Sequence, residues 1–587
     1  RPSVAYGMRD IAGTGAFSSE YFVASKDLGN LDITLGIGWG NIGQLGNISN
    51  PLISLSENFK SRSSSSEQGG TFNYSNWLSG ERSSIFGGLE YKIKKYGLRF
   101  KLEYDTSMPD VGFNKRLPVK VDSRFNIGLT YNISNFADLG LSFERGNQFR
   151  LAFTFKGNFR SSDNFKKTDP PKQLINQEKI NPSSEGIFLK RALRDLKQEG
   201  LYLQGGEASN TLVDVSVSQA RFRNLPQAIG RSAKIISSIS TPELETININ
   251  IMNGDIETYS LSLPNKELKK AIIGKISTTE LITKSSLYSQ TGNQRYTSQN
   301  FRPDVNFPEI FWSMSPALKH HIGGPESFYL GQLWWRVNSN IKFSRNLSLS
   351  TVLGLDLYNN FDELRNKSDS TLPHVRSDIQ EYLKEGTTNI ARLKLDYIWS
   401  PKNDWFVRSD IGLIEEMFGG IGGEILYRPF DSRYALGFRG HYVKQREFSQ
   451  RFGFKDYEVL TGHLSSYIKL PNQLLLQVHG GKYLAKDTGI TLDISRRFKS
   501  GFRLGVFATK TNVSKEEFGE GSFDKGFYFN IPLDLFYTQY KTGNIGFSMH
   551  PLTRDGGAML TNHNSLYGIF GDTTQDSFYR DSKGILE

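Results

Sequence analysis

The sequence predicts a mainly β protein with two antiparallel outer-membrane-type β-barrel regions and a small soluble α/β insert between them. Three observations support this fold class. Apolar and polar residues alternate in many segments, the segments are joined by turns that alternate between short and long, and the chain of 587 residues is rich in aromatic residues (13%) and glycine (57 residues). Aromatic side chains favour pleated surfaces, and glycine serves turns and tight bends.

The alternation has period two, which is the period of a strand with one apolar and one polar face. In the segment 31–39, for example, Leu31, Ile33, Leu35 and Ile37 share one face. The same pattern recurs in the segments 98–105, 125–133, 149–156, 502–506 and 527–533. Strands with short turns on one side and long polar loops on the other are typical of outer-membrane barrels. A soluble antiparallel sandwich also alternates, but it needs neither charged residues on an interior face nor long loops on one side.

Composition restricts the class of protein further. Hydrophobic residues make up 37% of the chain and no run of about 18 apolar residues is present, so no transmembrane helix is predicted. A membrane β-barrel is not excluded, because strands that alternate apolar and polar residues have a low average hydropathy. The net charge is +11, but lysine and arginine are spread along the whole chain, so we expect no nucleic-acid partner. The absence of cysteine excludes disulfides and cysteine-ligated metal sites.

The pattern divides the chain into three parts. Residues 1–165 are predicted to form an N-terminal β-barrel region, which we expect to lack upstream strands. Residues 166–275 are predicted to form a periplasmic α/β insert, and residues 276–587 a C-terminal β-barrel. Within the insert, the periodicity predicts helices over 188–198 and 224–236, a strand over 211–218 and a hairpin over 245–263.

Motifs for cofactors, metals and catalysis are weak. The stretch "GWGNIG" (38–43) matches the dinucleotide fingerprint, but the residues after it lack the helical period on which a pyrophosphate would rest. His320 and His321 are adjacent, so on a strand they point to opposite faces and make a poor chelating pair. We therefore expect no cofactor, no metal site and no enzymatic activity.

The stretch "GLIEEMFGGIGGEILYRP" (412–429) raises the question of a phosphate loop or a carboxylate pair. With period two it becomes a strand, a glycine-rich turn and the start of the next strand. This arrangement predicts a polar, mixed-charge face that contains Asp410, Glu416, Glu424, Arg428 and Arg439. Two interpretations stay open: these residues contact a hydrated polymer in a barrel lumen, or they fill the lumen with mutual salt bridges.

From about residue 320 the sequence contains long distinctive stretches: "GGPESFYLGQLW", "LPHVRSDIQEY", "GLIEEMFGGIGGEILYRP", "GFKDYEVLTGHLSSY", "GKYLAKDTGITLDISRRF", "ATKTNVSKEEFGEGSFDKGFY" and "PLTRDGGAML". Near the N-terminus are "MRDIAGTGAFSSEYFVASK" (8–26) and "GIGWGNIG" (36–43). These stretches resemble the YjbH/GfcD family of outer-membrane exopolysaccharide and capsule proteins, and the resemblance covers nearly the whole chain.

The resemblance implies a protein of the outer membrane of a Gram-negative bacterium, from a family that usually has a signal peptide, often of lipoprotein type. Its implied partners are exopolysaccharide, outer-membrane lipid and periplasmic polysaccharide-export proteins. We expect it to assist exopolysaccharide or capsule secretion or assembly, as a passage or as a docking platform for periplasmic partners.

Two other functions stay open. One is an envelope enzyme that modifies the polysaccharide, for which Glu416 and Glu424 are the only carboxylate pair that we would nominate. The other is a surface adhesin or receptor that uses the long loops.

Overall fold

The computed structural model describes residues 1–9, 18–62, 76–107, 120–134, 137–156, 169–170, 178–253, 256–289, 297–322, 329–364, 368, 370–518, 523–550, 555–561 and 563–587. The chain forms two compact units. The first contains Arg1–Asn158 with two short later segments, and the second contains Phe159–Asn512, Lys525–His550 and Arg554–Glu587. In the part of the chain that is described, no helix is both long and apolar enough to cross a membrane.

The first unit contains a nine-stranded antiparallel sheet. Its strands are β1 (Ser3–Arg9), β2 (Ser19–Asp27), β3 (Leu31–Gly40), β4 (Ile48–Ser49), β5 (Arg82–Ile93), β6 (Leu98–Tyr104), β7 (Phe125–Ser134), β8 (Ala137–Glu144) and β9 (Gln148–Phe155). They pair in the order β1-β2-β3-β5-β6-β7-β8-β9, and β4 pairs with β5. Because neighbours in sequence are neighbours in the sheet, the sheet is a meander.

The two faces of this N-terminal sheet differ as the alternation predicts. On β9, the side chains of Phe149, Leu151 and Phe153 are 87%, 60% and 61% exposed. Arg150 and Ala152 lie between them on the opposite face of the pleat, where they line a groove. The apolar face is therefore uncovered, which is the reverse of a soluble sandwich.

The glycine motif at 38–43 ends a strand and does not begin a helix. β3 ends at Gly40, whose φ of 69° is in the left-handed region, and residues 41–45 form turns. A side chain at Gly43 would place its Cβ 2.8 Å from the carbonyl oxygen of Gly38. The glycines thus permit a tight reversal, and the segment has no helix N-terminus for a phosphate.

The insert contains a five-stranded sheet and four helices. Its elements are α1 (Glu185–Gln198), β10 (Leu201–Ala208), β11 (Leu212–Gln219), α2 (Leu225–Ile239), β12 (Thr246–Asn253), β13 (Ile256–Pro264), α3 (Asn265–Ile272), α4 (Thr278–Thr283) and β14 (Ser286–Ser289). β11 and β12 are parallel and are joined through α2, whereas the other neighbours are antiparallel. Among the described residues, the apolar side chains of α1, α2 and one face of the sheet contribute to the largest hydrophobic core. The predicted helices, strand and hairpin are confirmed.

The insert extends further along the chain than predicted. β14 lies beyond residue 275 but pairs with β13, with Leu287 opposite Leu261. Phe301 also forms an isolated antiparallel bridge with Gly206 of β10. The predicted boundary missed these segments because a four-residue strand shows too little alternation to be assigned to one sheet or another.

The second unit also contains a thirteen-stranded antiparallel sheet, whose strands pair in chain order from β15 to β27. The elements are β15 (Glu309–Ile322), β16 (Tyr329–Lys342), β17 (Leu347–Asn359), α5 (Ile379–Glu385), β18 (Asn389–Lys402), β19 (Trp405–Leu413), β20 (Phe418–Tyr427), β21 (Tyr434–Arg446), β22 (Phe454–Leu470), β23 (Leu474–Lys482), β24 (Thr488–Arg497), β25 (Arg503–Thr511), β26 (Asp524–Pro532) and β27 (Asn544–Met549). Helix α6 (Lys515–Phe518), between β25 and β26 in the sequence, belongs to the first unit. Helices α7 (Leu566–Phe570) and α8 (Gln575–Asp581) follow the last strand.

The predicted glycine-rich turn at 412–429 is wrong in one respect. The turn between β19 and β20 consists of residues 414–417, and the four glycines lie inside β20. A side chain at Gly422 would place its Cβ 2.3 Å from the ring of His441 on the next strand. Gly422 therefore leaves room for the ring of His441 on the polar face, and the four glycines do not reverse the chain.

Each large sheet is a linear path of paired strands. Among the described residues, β1 is not paired with β9 and β15 is not paired with β27. The prediction of a mainly β protein with large antiparallel sheets is confirmed. Closure of the two large sheets into barrels stays a prediction.

Candidate functional site

The polar face of the C-terminal sheet places most of the predicted site residues next to one another. Arg408 on β19 lies opposite Glu424 on β20, and Glu424 lies opposite Arg439 on β21. Asp410 follows Arg408 by two positions, so it points to the same face. Arg428 is on this face too, one residue beyond the end of β20, and is almost fully buried.

Arg408 is the centre of this cluster, and its side chain is fully buried. Its guanidinium lies 3.3 Å from the Asp410 carboxylate and 2.9 Å from the Glu424 carboxylate. His441 Nε2 lies 3.0 Å from the other oxygen of Asp410. These contacts agree with the interpretation in which the charged residues of this face pair with one another. Contact between a polymer and the five predicted residues stays a prediction.

Glu416 and Arg439 lie at the margin of the cluster. Glu416 is in the turn between β19 and β20 and forms an ion pair of 2.8 Å with Lys319 on β15. Arg439 is half-buried, and its Nη2 lies 3.7 Å from the sulfur of Met559. Glu416 and Glu424, the nominated acid pair, thus have separate basic partners. Among the described residues, no three His, Asp or Glu side chains come together as a metal site would require.

The residues after β27 cross this polar face. We call residues 555–561 and 563–587 the C-terminal tail. Its backbone groups are hydrogen-bonded to charged side chains of the sheet and of its turns at several places. Glu415 accepts from the N–H of Thr561 and Glu424 accepts from the N–H of Leu566, whereas Arg408 donates to the carbonyl of Asn564 and Arg428 to the carbonyl of Thr573. The charged face is therefore covered by the protein's own chain.

Aromatic side chains hold the middle of the tail. The rings of Phe570 and Phe406 are stacked with centroids 4.1 Å apart, and those of Tyr567 and Tyr467 are stacked at 3.7 Å. Contacts of this kind contribute about 0.5–1.5 kcal/mol each beyond the area that they bury. The tail is thus packed against the sheet as well as hydrogen-bonded to it.

The beginning of the tail is fixed by Asp555. Its carboxylate accepts hydrogen bonds from the N–H of Arg376 (2.8 Å), from the N–H of Ser377 (3.0 Å) and from the hydroxyl of Ser377 (2.7 Å). Arg376 itself donates to the carbonyl of Met559 at 2.7 Å. The loop before α5 and the tail therefore hold each other in place.

An ion cluster fixes the tail near α8. The side chain of Asp572 is 48% exposed, and the protein atoms around it would by desolvation raise its pKa, but the cations of Arg497, Arg580 and Lys469 outweigh this effect and hold that pKa well below its usual range. The nearest contact, to Arg497, is 2.9 Å. Lys469 also donates to the hydroxyls of Thr574 and Ser577. Asp572 is therefore ionised at neutral pH and links the tail to the ends of β22 and β24.

The end of the tail packs against the insert. The ring of Phe578 on α8 lies 6.0 Å from that of Tyr259 on β13, and both are in the insert's core. Arg231 on α2 donates through Nε to the carbonyl of Glu587 at 2.7 Å. The tail thus connects the polar face of the C-terminal sheet with the insert, and both lie in the second unit.

Two comparisons with known proteins identify the family. The YjbH family model, described as "Exopolysaccharide biosynthesis protein YbjH", matches residues 1–572. The "Uncharacterized lipoprotein YjbH" of Escherichia coli (strain K12) is 35% identical over 591 residues, covering 97% of this chain and 82% of that protein. The chain belongs to the YjbH family. The resemblance stated from the motifs is confirmed, and with it an association with exopolysaccharide biosynthesis.

Among solved structures, OmpT, an outer membrane protein of Vibrio cholerae, matches this YjbH-family chain with 9% identity and a TM-score of 0.21. The match covers 45% of the chain and 95% of OmpT. A TM-score this low says nothing about the fold.

Sequence reasoning missed two parts of the site in this YjbH-family chain. Arg408 precedes Asp410 by two positions, so the alternation that selected Asp410 also selects Arg408. The tail has no comparable signal, because its contacts are between residues more than 100 positions apart. Its only local marks are the loss of alternation and the helix caps Ser565 and Thr574, whose hydroxyls accept backbone hydrogen bonds.

A substitution in the insert tests how the tail is held. A Cβ at Gly230 of α2 would lie 1.6 Å from the backbone oxygen of Ile585. Gly230→Ala is therefore expected to detach the end of the tail at a cost of about 1–3 kcal/mol, although alanine favours helices. Hydrogen exchange of residues 582–587 measures the detachment.

The matched control is Gly186→Ala on α1, where nothing lies within 4 Å of the added atom. This variant should keep the exchange protection of the tail. Equal protection in both variants would show that the tail does not pack against α2.

Proposed function

We propose that this YjbH-family protein is a non-enzymatic outer-membrane protein that assists exopolysaccharide secretion or assembly. Its two large sheets are the walls of β-barrels in the bilayer, and the α/β insert lies on the periplasmic side. The single observation that carries the proposal is the inverted distribution of side chains, with apolar rows uncovered on both large sheets and the polar rows of the C-terminal sheet enclosed.

The C-terminal sheet shows this distribution over neighbouring strands. Leu436 and Phe438 on β21 are 52% and 53% exposed, and Leu460 and Leu464 on β22 are 63% and 64% exposed. His441, on the opposite face of β21, is almost fully buried. Exposed apolar surface of this extent is costly in water and marks contact with a membrane or a protein. Rows that follow every second residue of consecutive strands match the lipid-facing band of an outer-membrane barrel.

Closure of each sheet is the second part of the proposal. Open edge strands present unpaired N–H and C=O groups, which aggregate in water and are not tolerated in lipid. β1, β9, β15 and β27 are the edge strands of the described paths. A barrel removes such edges, so closure is the arrangement that agrees with the apolar outer rows.

The insert supports the role as a docking platform. It has its own apolar core and folds as an α/β layer beside the strands. A soluble module joined to membrane-embedded sheets gives periplasmic export proteins a surface to bind. No catalytic step is proposed, because Glu416 and Glu424 are each engaged by a different cation.

A deletion strain complemented with the gene on a plasmid tests this function. We expect surface exopolysaccharide to fall in the deletion strain and to return with complementation. The protein should fractionate with the outer membrane, and its gel mobility should differ between heated and unheated samples, because a barrel stays folded in detergent until it is heated. Normal polysaccharide in the deletion strain would refute the function, and identical mobilities would refute the barrels.

A further inference from the structure

The polar face of the N-terminal sheet is an open groove, unlike that of the C-terminal sheet. The groove has a volume of about 700 Å³. Its floor consists of small residues from three consecutive strands: Gly128 and Thr130 on β7, Gly140 and Ser142 on β8, and Ala152 on β9. These residues lie directly opposite one another in the sheet, Gly128 beside Ser142 and Thr130 beside Gly140 beside Ala152. The floor is therefore flat, with the hydroxyl groups of Thr130 and Ser142 and no large side chain in its middle.

Charged residues form the sides of the groove; five of the described lining residues are acidic and three are basic, and each basic side chain is paired across strands. Lys101 lies 3.2 Å from Glu90, and Arg150 lies 3.4 Å from Glu144. The lysine is 48% exposed and the arginine 66% exposed. Ion pairs this exposed are weak, so their members exchange partners at little cost. They can donate to and accept from hydroxyl groups without holding a ligand tightly.

The two polar faces thus differ in what a passing polymer would meet. In the C-terminal sheet, polymer would have to displace the tail and separate buried ion pairs around Arg408, which is costly. In the N-terminal sheet, polymer would meet small residues and exposed, exchangeable pairs. A chain of hydrated sugars carries many hydroxyls and moves only if no single contact is strong.

We propose that the groove of the N-terminal sheet, floored by Gly128, Thr130, Gly140, Ser142 and Ala152, is the surface along which the exopolysaccharide passes. This inference rests on the proposed function and assigns its polymer contact to the first unit. The ligand class is a hydrated, polyhydroxylated chain, because the groove is lined by hydrogen-bond donors and acceptors and carries only a small excess of acidic over basic residues.

Single-cysteine variants test the groove, because the chain contains no cysteine. Thr130→Cys and Ser142→Cys place a thiol on the floor. In the complemented strain, each variant is treated with methyl methanethiosulfonate as a small reagent and with a water-soluble biotin maleimide as a bulky one. We expect normal surface polysaccharide before treatment and after the small reagent. The bulky adduct should lower polysaccharide to the level of the deletion strain.

Lys95→Cys, in the exposed connection between β5 and β6, is the matched control. It should react with the bulky reagent and leave polysaccharide unchanged. Two results would overturn the inference: floor thiols that do not react, or floor thiols that carry the bulky adduct in a strain with normal polysaccharide. Either result leaves the proposed function intact if the deletion strain lacks polysaccharide, whereas normal polysaccharide in the deletion strain refutes the function itself.

Discussion

Replacing Arg408 with methionine is expected to destabilise the C-terminal sheet by about 3–5 kcal/mol. The guanidinium is fully buried between Asp410 and Glu424, and it also donates to the tail at Asn564. Methionine fills a similar volume but leaves both carboxylates buried near one another without this cation. Unfolding of the purified protein by urea, followed by loss of heat-modifiable gel mobility, measures the change.

The control for Arg408 is its neighbour Ser409, which is exposed on the other face. Ser409→Ala should be neutral within about 0.5 kcal/mol. If Arg408→Met is combined with Asp410→Asn and Glu424→Gln, most of the lost stability should return, because the uncompensated charges are removed. A single variant as stable as the control, or a triple variant less stable than the single one, would contradict the central role of this cation.

Replacing Leu464 with arginine is expected to cost about 2–4 kcal/mol if β22 crosses the bilayer, because the charge would face lipid. Leu464 is 64% exposed, so the same change on a soluble protein would be an ordinary surface substitution. The measurement is the amount of folded protein recovered in the outer-membrane fraction. The variant should be strongly depleted there.

Phe452→Arg is the matched control for Leu464→Arg. Phe452 is 66% exposed, but it lies in the connection before β22 and not in the strand. The cost of arginine falls to about 0–1 kcal/mol near the membrane interface. Equal recovery of the two variants would show that the exposed row on β22 does not face lipid.

Local patterns predicted the elements of this fold well, and long-range contacts account for the differences. Alternation identified strands such as β9, and the helical period identified α1 and α2, because both signals depend only on neighbouring residues. Residues 412–429 were harder, because four glycines carry no side chain that would show which face they occupy. The strand β20 was therefore interpreted as a turn.

In the candidate site, too, local patterns predicted the faces of the strands but not the long-range contacts. Period two placed Asp410, Glu424, Arg428 and Arg439 on one face, as the structure does. It could not show that the tail covers that face, because the covering segment has no pattern complementary to the strands. Nor could it show that the polar face of the N-terminal sheet is open, since an open and a covered face have the same alternation.

The contact between α2 and the end of the tail determines when folding of the second unit can be completed. Arg231 and Glu587 are 356 positions apart, and every strand of the C-terminal sheet lies between them in the sequence. While the strands between them form, α2 keeps an apolar surface uncovered until Phe578 and Ile585 pack into the core of the insert. A chain truncated before residue 575 would possess all its strands and still leave this surface open. The core of the insert is therefore among the last parts of the second unit to close, and apolar surface left open until then is prone to aggregation.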